Sequence, residues 1–180
     1  MIVDFVRHNL THAQNILGNT INKNIFLVNG DATSLNFNSK VFDGVWTVQC
    51  FQHIPDFNLA VSEAARVLKI GGSFANYSLN IQPQVKFVKS FTKSPYVVSG
   101  LIAKTFWLAR ASNEQKSIIE KAFNCVVTEY WSEFLFCPAL KFNYPGREMS
   151  FLGKIDSRLT NKFGLLKWFA RQHSYHVKKL

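Results

Sequence analysis

Short apolar runs alternate with helical patterns over residues 1–80, and this alternation constrains the fold more than any other feature. The runs are rich in β-branched and aromatic residues and have the length of strands. In order, they are MIVDF, NIFLVNGD, VFDGVWTVQC and SFANYSL. Helical periodicity separates the first two runs (THAQNIL) and the last two (IPDFNLAVSEAARVLKIGG). Because parallel strands need crossover connections, this order predicts an α/β fold with a parallel sheet.

Residues with capping preferences mark the ends of both predicted helices. Thr11 is the candidate N-cap of the first helix, and Gly18 closes it. Asp56 is the candidate cap of the second, and Gly71-Gly72 are expected to end it. The second helix has an apolar stripe predicted to face the core, made of Leu59, Val61, Ala64, Ala65, Val67 and Leu68.

After residue 80 the order of predicted elements is less regular. Residues 81–111 are predicted to form a helical insertion that caps the substrate side of one domain, residues 1–180. The later segments predict a helix (SNEQKSIIEKAF), a long strand (CVVTEYWSEFLF), a loop (PALKFNYPGREM), one or two helices (SFLGKIDSRLTNKFGLLKWFARQ) and a closing strand (HSYHVKK). No repeat or low-complexity tract divides the chain, which favours a single domain.

The chain is basic, with 21 Lys and Arg, 11 Asp and Glu, and a formal net charge of +10. Such a charge is compatible with attraction to nucleic acid, with attraction to an anionic membrane, or with an ordinary solvated surface. The basic residues form no dense block, although the tail is their richest stretch. No strand shows the interleaved aromatic residues of RNA-binding domains, so the sequence argues against a nucleic-acid partner.

The cysteines and the apolar runs indicate a cytoplasmic protein. Cys50, Cys125 and Cys137 form no C-x-x-C pair, which favours free thiols in a reducing compartment and no metal site. The most apolar run, VVSGLIAKTFWLA, is interrupted by Gly100 and Lys104 and is shorter than the roughly 20 residues of a membrane span. No transmembrane segment is expected, and composition leaves the oligomeric state unpredicted.

Polar residues follow the predicted strands at the edge where open α/β sheets bind ligands. The candidates are Asp4, Asp31, Gln49 with Cys50 and His53, and Asn76 to Asn80. A carboxylate at one strand end can accept hydrogen bonds from both ribose hydroxyls. An acid after the next strand can accept one from the adenine amine, while the following N–H addresses a ring nitrogen. For Asp31 a simple turn residue is the alternative, because Gly-Asp favours turns.

The segment NGDATSLNFNSKVFDGVWTVQCFQHIPDFNLAVSEAARVLKIGGSF resembles the middle of class I S-adenosylmethionine-dependent methyltransferases, the small-molecule, type 11-like branch. The family shows the pattern GDA..LPF....FD.V.....L.H..D...A..E..RVLKPGG. Its positions fall here on Gly30-Asp31-Ala32, Leu35-Asn36-Phe37, Phe42-Asp43, His53, Asp56, Ala60, Glu63, Arg66-Val67-Leu68-Lys69 and Gly71-Gly72. Asn36 and Ile70 replace the usual prolines. The resemblance covers Met1 to Asn80 and, more faintly, the tail, and it implies a Rossmann-like sheet.

The resemblance implies S-adenosylmethionine as the cofactor and assigns residues to it. Asp4 would hold the ribose, with Phe5 beside it in the site. Asp31 and Ala32 would hold the adenine, and Gln49 would border the methionine moiety.

The resemblance also places His53 near the reaction. Imidazole can act as a base near neutral pH, so His53 is the candidate catalytic residue. The alternative is a packing role at the start of a helix, because methyl transfer can proceed by positioning alone. Asp43 is expected to support a loop, and Glu63 and Arg66 to make helix-surface or helix-to-sheet contacts.

One family feature has no counterpart in the sequence. The first strand of the family ends in a glycine-rich loop, typically E/D-x-G-x-G-x-G, and this pattern does not occur in the chain. That first strand lies centrally, between the second and the fourth. MIVDF would then be the second strand of an N-terminally incomplete sheet, whose neighbours either pair directly or leave open edges.

Three functions remain open from the sequence. The first is methyl transfer from S-adenosylmethionine to a small-molecule acceptor, impaired by the missing glycine-rich loop. The second is a non-catalytic methyltransferase-like fragment or partner subunit. The third is an RNA-directed methyltransferase or an RNA-binding protein, since a net charge of +10 would attract the phosphate backbone of RNA.

Overall fold

A computed structural model gives the fold, and it describes residues 1–79, 112–132 and 151–180. The strands are β1 (Ile2–Asp4), β2 (Leu27–Asn29), β3 (Phe42–Val48), β4 (Leu68–Leu79), β5 (Thr128–Ser132) and β6 (Gln172–Lys178). The α-helices are α1 (Arg7–Leu17), α2 (Phe57–Val67), α3 (Ser112–Phe123) and α4 (Phe151–Lys162). Short 3-10 helices cover Gly18–Thr20, Phe51–His53 and Gly164–Phe169. The predicted insertion 81–111 and the predicted loop PALKFNYPGREM lie outside the described residues.

The described strands form two sheets. β1 and β2 are parallel, with Asp4 opposite Asn29. The second sheet has the order β3-β4-β6-β5, in which β3 and β4 are parallel and β6 runs antiparallel to both of its neighbours. The predicted parallel pairing and the predicted closing strand HSYHVKK are therefore confirmed, in an α/β fold with a mixed sheet.

β1 and β3 are both edge strands among the described residues. β1 pairs only with β2, and β3 pairs only with β4, so these two strands do not pair with each other. The composition of VFDGVWTVQC is typical of a fully buried strand, but that expectation is wrong for β3, because Trp46 and Val48 are 72% and 53% exposed. Both residues lie on the same face of the strand, and no described element covers that face.

The core lies between the four-stranded sheet and helices α2 and α3. Phe74 of β4 stacks on Phe123 of α3 with ring centroids 4.9 Å apart, and Tyr175 of β6 is completely buried beside them. The α2 stripe enters this core through Phe57, Ala60, Val61, Ala64 and Ala65. Leu59 does not belong to it and is 53% exposed, because the observed stripe follows positions 57, 60, 61 and 64.

The first helix begins earlier than predicted. α1 starts at Arg7, and Thr11 lies inside it, with its hydroxyl donating to the Arg7 carbonyl at 3.2 Å. The Thr11 cap is wrong because the Asp4 carboxylate already accepts the Val6 N–H at 2.7 Å and turns the chain there. Gly18 does close the helix, with a φ of 48°.

The second helix starts as predicted and ends earlier. Asp56 is the N-cap of α2, although its side chain makes no capping hydrogen bond. The helix ends at Val67, and the two glycines lie inside β4. A Cβ on Gly72 would come within 2.9 Å of the Lys69 carbonyl oxygen, and Gly71 has a φ of 77°. The glycines therefore permit a bend in the strand instead of ending the helix.

A row of buried polar side chains crosses from β3 to α3. The Thr47 hydroxyl donates to Asn76 at 2.6 Å, the Asn76 amide donates to Ser78 at 3.2 Å, and Ser78 donates to Gln115 at 2.8 Å. Asn76 is thus an interior residue of β4 with no exposed surface, and its expected place at a strand end is wrong. The row satisfies polar groups that would be costly to bury alone.

Candidate functional site

The carboxyl ends of β1, β2 and β3 carry the residues predicted for the site. Asp4 is the last residue of β1, and Asp31 follows β2 by two positions. Gln49 follows β3 directly. Because β1 and β2 are parallel and in register, the structure brings Asp4 and Asp31 to the same edge of this sheet.

Asp4 is half-buried, and its carboxylate is held by residues at the start of α1. One carboxylate oxygen accepts the Val6 N–H at 2.7 Å, and the other accepts the Asn9 side-chain amide at 3.1 Å. An ionised carboxylate offers about four acceptor positions, so this side chain keeps capacity for further donors. Its orientation is fixed before any ligand arrives.

Asn29 positions the chain around Asp4, and the sequence analysis missed it. Its side-chain amide donates to the carbonyls of Asp4 at 3.0 Å and Phe5 at 2.8 Å. Its amide oxygen accepts from Arg7 at 3.2 Å. The available signal was an amide residue just before Gly30-Asp31, at the end of a strand. These bonds fix the exit of β1, where Phe5 presents a ring that is 74% exposed.

Asp31 is a turn residue whose carboxylate keeps unused hydrogen-bond acceptor positions. One carboxylate oxygen accepts both the N–H and the hydroxyl of Thr33, each at 2.8 Å. The other oxygen and the N–H of Ala32 have no hydrogen-bond partner among residues 1–79, 112–132 and 151–180. A carboxylate oxygen and an N–H on adjacent residues make one acceptor and one donor available at the surface.

The loop after Asp31 is clamped to α2 by Glu63 and Arg66. Glu63 accepts the Leu35 N–H at 2.7 Å, and Arg66 donates to the carbonyls of Leu35 at 2.8 Å and Phe37 at 2.7 Å. The hydrogen bond from Arg66 lowers the pKa of Glu63. The two residues therefore contact a loop, and this contact holds the end of β2 against the four-stranded sheet.

Gln49 has the backbone strain typical of a functional position. Its φ is 51°, a left-handed conformation that non-glycine residues adopt infrequently. Its N–H donates to the Tyr77 carbonyl at 2.7 Å, which fixes the turn. Burial, followed by the negative charge of Asp4, raises the pKa of the neighbouring Cys50 thiol. The ends of β1 and β3 are thus close enough to interact electrostatically.

His53 is exposed at the end of a 3-10 helix, and Gln52 sets its position. The Gln52 side-chain nitrogen lies 3.1 Å from the His53 Nε2, and the Gln52 oxygen accepts the Leu79 N–H at 2.7 Å. Gln52 is 1% exposed, so it is a fixed support that the sequence analysis did not identify. A catalytic role for His53 remains a prediction.

Asp43 lies away from these residues. Its carboxylate forms an ion pair with Lys69 at 2.8 Å, and the Asp43 side chain is 88% exposed.

No helix in the described ranges is long and apolar enough to cross a membrane.

Solved structures share this fold. A methyltransferase from Thermotoga maritima has 16% sequence identity and a TM-score of 0.62, over 99% of this chain and 72% of that one. One from Archaeoglobus fulgidus has 14% identity and a TM-score of 0.61, over 98% and 74%. Phosphoethanolamine N-methyltransferase 2 from Haemonchus contortus, solved with S-adenosyl-L-methionine, has 17% identity and a TM-score of 0.57, over 98% and 42%. At these identities the likeness establishes the fold.

A sequence comparison finds a family match over the first part of the chain. A family model described as "Methyltransferase domain" matches residues 1–76, the part that contains β1 to β3, α1, α2 and most of β4. This part of the chain is similar to the class I methyltransferases. The recognition made from GDA, RVLK and GG is therefore confirmed, and the cofactor of the family is S-adenosylmethionine.

The candidate site suits one half of that cofactor. The spare acceptors of Asp4 and Asp31 and the N–H of Ala32 match the hydroxyls and the base of an adenosine. The amino-acid half needs several donors, which a glycine-rich loop usually supplies from its backbone. No such loop occurs in the sequence, so the fit is to the adenosine half.

Proposed function

We propose that this chain binds S-adenosylmethionine at the carboxyl ends of β1, β2 and β3 and transfers its methyl group to a small-molecule acceptor. The observation that carries the proposal is the pair Asp4 and Asp31, held at neighbouring ends of two parallel strands with unused acceptor positions. Carboxylates in this arrangement suit a ribose and an adenine amine.

The proposed roles follow the geometry of each residue. Asp4 accepts from the ribose hydroxyls, and the exposed ring of Phe5 covers one face of the adenine. Asp31 accepts from the adenine amine, and the Ala32 N–H donates to the ring. Gln49, in its left-handed turn, borders the methionine moiety. The cofactor supplies a methyl group already activated on a sulfonium, so the protein mainly positions the reactants.

His53 is the proposed base where the acceptor must lose a proton. Its ring is exposed, and the buried Gln52 lies 3.1 Å from its Nε2 and supports the position of the ring. The acceptor is proposed to be apolar or aromatic, because residues 81–111 contain Phe87, Phe91, Tyr96, Phe106 and Trp107.

We further propose that one more parallel strand, followed by a glycine-rich loop, completes the sheet between β1 and β3. The free edges of β1 and β3 among the described residues and the exposed side chains of Trp46 and Val48 support this. Such a strand would pair with both edges, and its loop would supply donors for the methionine end. Without it, affinity for the cofactor is expected to be weak and transfer impaired.

The binding proposal is tested by calorimetric titration with S-adenosylhomocysteine. Asp31→Ala is expected to weaken binding by roughly tenfold or more, because it removes a charge-assisted hydrogen bond. Asp43→Ala is the matched control, since Asp43 is also an exposed aspartate but its ion pair lies away from the site. Equal effects of the two substitutions would contradict the assignment. No heat from the parent chain would favour the non-catalytic alternative.

The strand proposal has its own test. The reading frame upstream of Met1 is examined for an apolar strand followed by G-x-G-x-G, and a chain extended through it is titrated beside the present one. The extended chain is expected to bind S-adenosylhomocysteine at least tenfold more tightly. An upstream frame without such a segment, or an extension that leaves affinity unchanged, would rule this proposal out while leaving the adenosine assignment standing.

A further inference from the structure

The C-terminal part of the described chain has a one-sided charge. Residues 151–180 contain one acid, Asp156, and several basic residues, namely Lys154, Arg158, Lys162, Lys167, Arg171, Lys178 and Lys179. Asp156 is only 7% exposed and adds little negative surface. Lys154, Arg158 and Lys162 make no ion pair with the part of the chain that the structure describes. The segment therefore presents a positive potential that its own acid does not offset.

Three of these cations lie along one face of α4. Lys154, Arg158 and Lys162 are spaced four residues apart and are exposed, so they follow one another on the helix surface. Asp156 and Thr160 lie on the opposite face and are buried. One face of the helix is thus buried, and another carries a row of exposed positive charges that form no ion pair with the described residues.

The orientation of α4 is fixed by β5. The side chain of Asn161 donates to the Trp131 carbonyl at 2.9 Å and accepts the Trp131 N–H at 3.2 Å. These two hydrogen bonds hold the helix in one rotation about its axis, so the basic row is a stable feature of the surface.

Large apolar side chains lie beside these cations. Phe151 begins α4 and is 78% exposed, and the following 3-10 helix carries Leu165 and Trp168, which are 75% and 72% exposed. Phe163 is 49% exposed, with the Lys162 Nζ 5.7 Å from its ring centroid. A concentration of exposed apolar side chains in one short segment indicates an interaction surface, in contrast to scattered single residues.

We propose that this basic-aromatic surface, formed by Phe151, Lys154, Arg158, Lys162, Phe163, Leu165, Lys167 and Trp168, docks on an anionic phospholipid bilayer. Cations attract the negatively charged leaflet, and Trp, Phe and Leu side chains lying beside them insert at the headgroup boundary. A nucleic acid would satisfy the cations but would leave Leu165 and its aromatic neighbours largely in water. The proposal is independent of the cofactor site.

The test is co-sedimentation of the full chain with vesicles of phosphatidylcholine alone and with added phosphatidylserine. Binding is expected only with the anionic lipid, and it should fall as salt rises. Lys154→Gln with Lys162→Gln is expected to lower the partition coefficient roughly twenty-five-fold, at about fivefold for each charge. Lys23→Gln with Lys40→Gln removes two exposed lysines elsewhere and is expected to change it far less.

A second pair of variants tests insertion. Trp168→Ser is expected to reduce vesicle binding at least tenfold, whereas Trp46→Ser, equally exposed at 72%, should leave it unchanged. Equal losses in both variants, or binding to phosphatidylcholine alone, would overturn the proposal. So would a chain that ignores vesicles but binds single-stranded RNA in a filter assay.

Discussion

The two-stranded and four-stranded sheets of this protein differ in how completely their side chains are buried. None of the residues of β1 and β2 is buried, and each strand has 3 residues. In β4, which has 12 residues, buried positions alternate regularly from Gly72 to Leu79. The four-stranded sheet therefore carries the stability of the fold, while the two-stranded sheet carries the proposed adenosine-binding residues at an exposed edge.

The largest expected effect separates the two sheets by stability. Phe74→Ala should lower the free energy of unfolding by about 3–5 kcal/mol, because it leaves a cavity against Phe123 and Phe51. Phe5→Ala should change it by less than about 0.5 kcal/mol, since that ring is 74% exposed. Urea denaturation followed by circular dichroism measures both. Similar losses would mean that β1 contributes to the common core.

The second prediction rests on a buried histidine at the far side of the four-stranded sheet. His173 of β6 is 1% exposed, and its Nε2 lies 2.8 Å from a Glu129 oxygen while Lys116 contacts the other oxygen at 2.7 Å. Its ring stacks on Trp131 with centroids 3.4 Å apart, and its Nδ1 is buried without a hydrogen-bond partner among residues 1–79, 112–132 and 151–180. Burial lowers the pKa of His173 to about 4, against the opposing charge of Glu129.

The stability of the chain should therefore fall in mild acid. The folded pKa of His173 lies below its unfolded value of 6.5, so between pH 6.5 and about 4 only the unfolded state binds the proton. Stability from this group is complete above pH 6.5 and declines by about 3 kcal/mol toward pH 4. Urea midpoints across this range measure it. His173→Gln should flatten the slope, and His12→Gln, at an exposed site, should not; an unchanged slope in His173→Gln would refute the assignment.

The order and type of the elements follow from local sequence patterns, and the exceptions have a non-local cause. HSYHVKK has strand alternation and is a strand, and SNEQKSIIEKAF has helical periodicity and is a helix. The start of α1 was missed because a hydrogen bond from Val6 to Asp4 decides it. The exposure of Trp46 depends on which element covers that face of β3, which the apolar composition of that run does not encode.

In the candidate site, too, local sequence patterns predicted some residues, and others depend on contacts between distant parts of the chain. The positions of Asp4, Asp31 and Gln49 could be predicted because each residue lies at, or within two residues of, the carboxyl end of its own strand. Asn29 was missed because its role depends on the register between β1 and β2, which places it opposite Asp4. Gln52 was missed because it acts through the backbone of Leu79, which lies in another strand. The supporting roles of Asn29 and Gln52 arise from how distant segments pair, and the residue types alone do not indicate them.

The smallest expected effect sharpens the contrast between the sheets. Asn29→Ala removes the bonds to the Asp4 and Phe5 carbonyls, so the β1–β2 pair should open more readily by about 1 kcal/mol. Native-state hydrogen exchange should then be roughly fivefold faster at the N–H groups of Ile2 and Gly30, which bond across these strands.

The amides of β4 serve as the internal reference for this measurement. Their exchange should stay unchanged in Asn29→Ala, because the four-stranded sheet does not share hydrogen bonds with β1. Asn58→Ala, at an exposed position of α2, is the matched control and should leave β1 and β2 unaffected. If Asn29→Ala accelerates exchange equally in β4, the two sheets unfold as one unit. The proposed site then rests on the stability of the whole fold and not on a locally weak pair of strands.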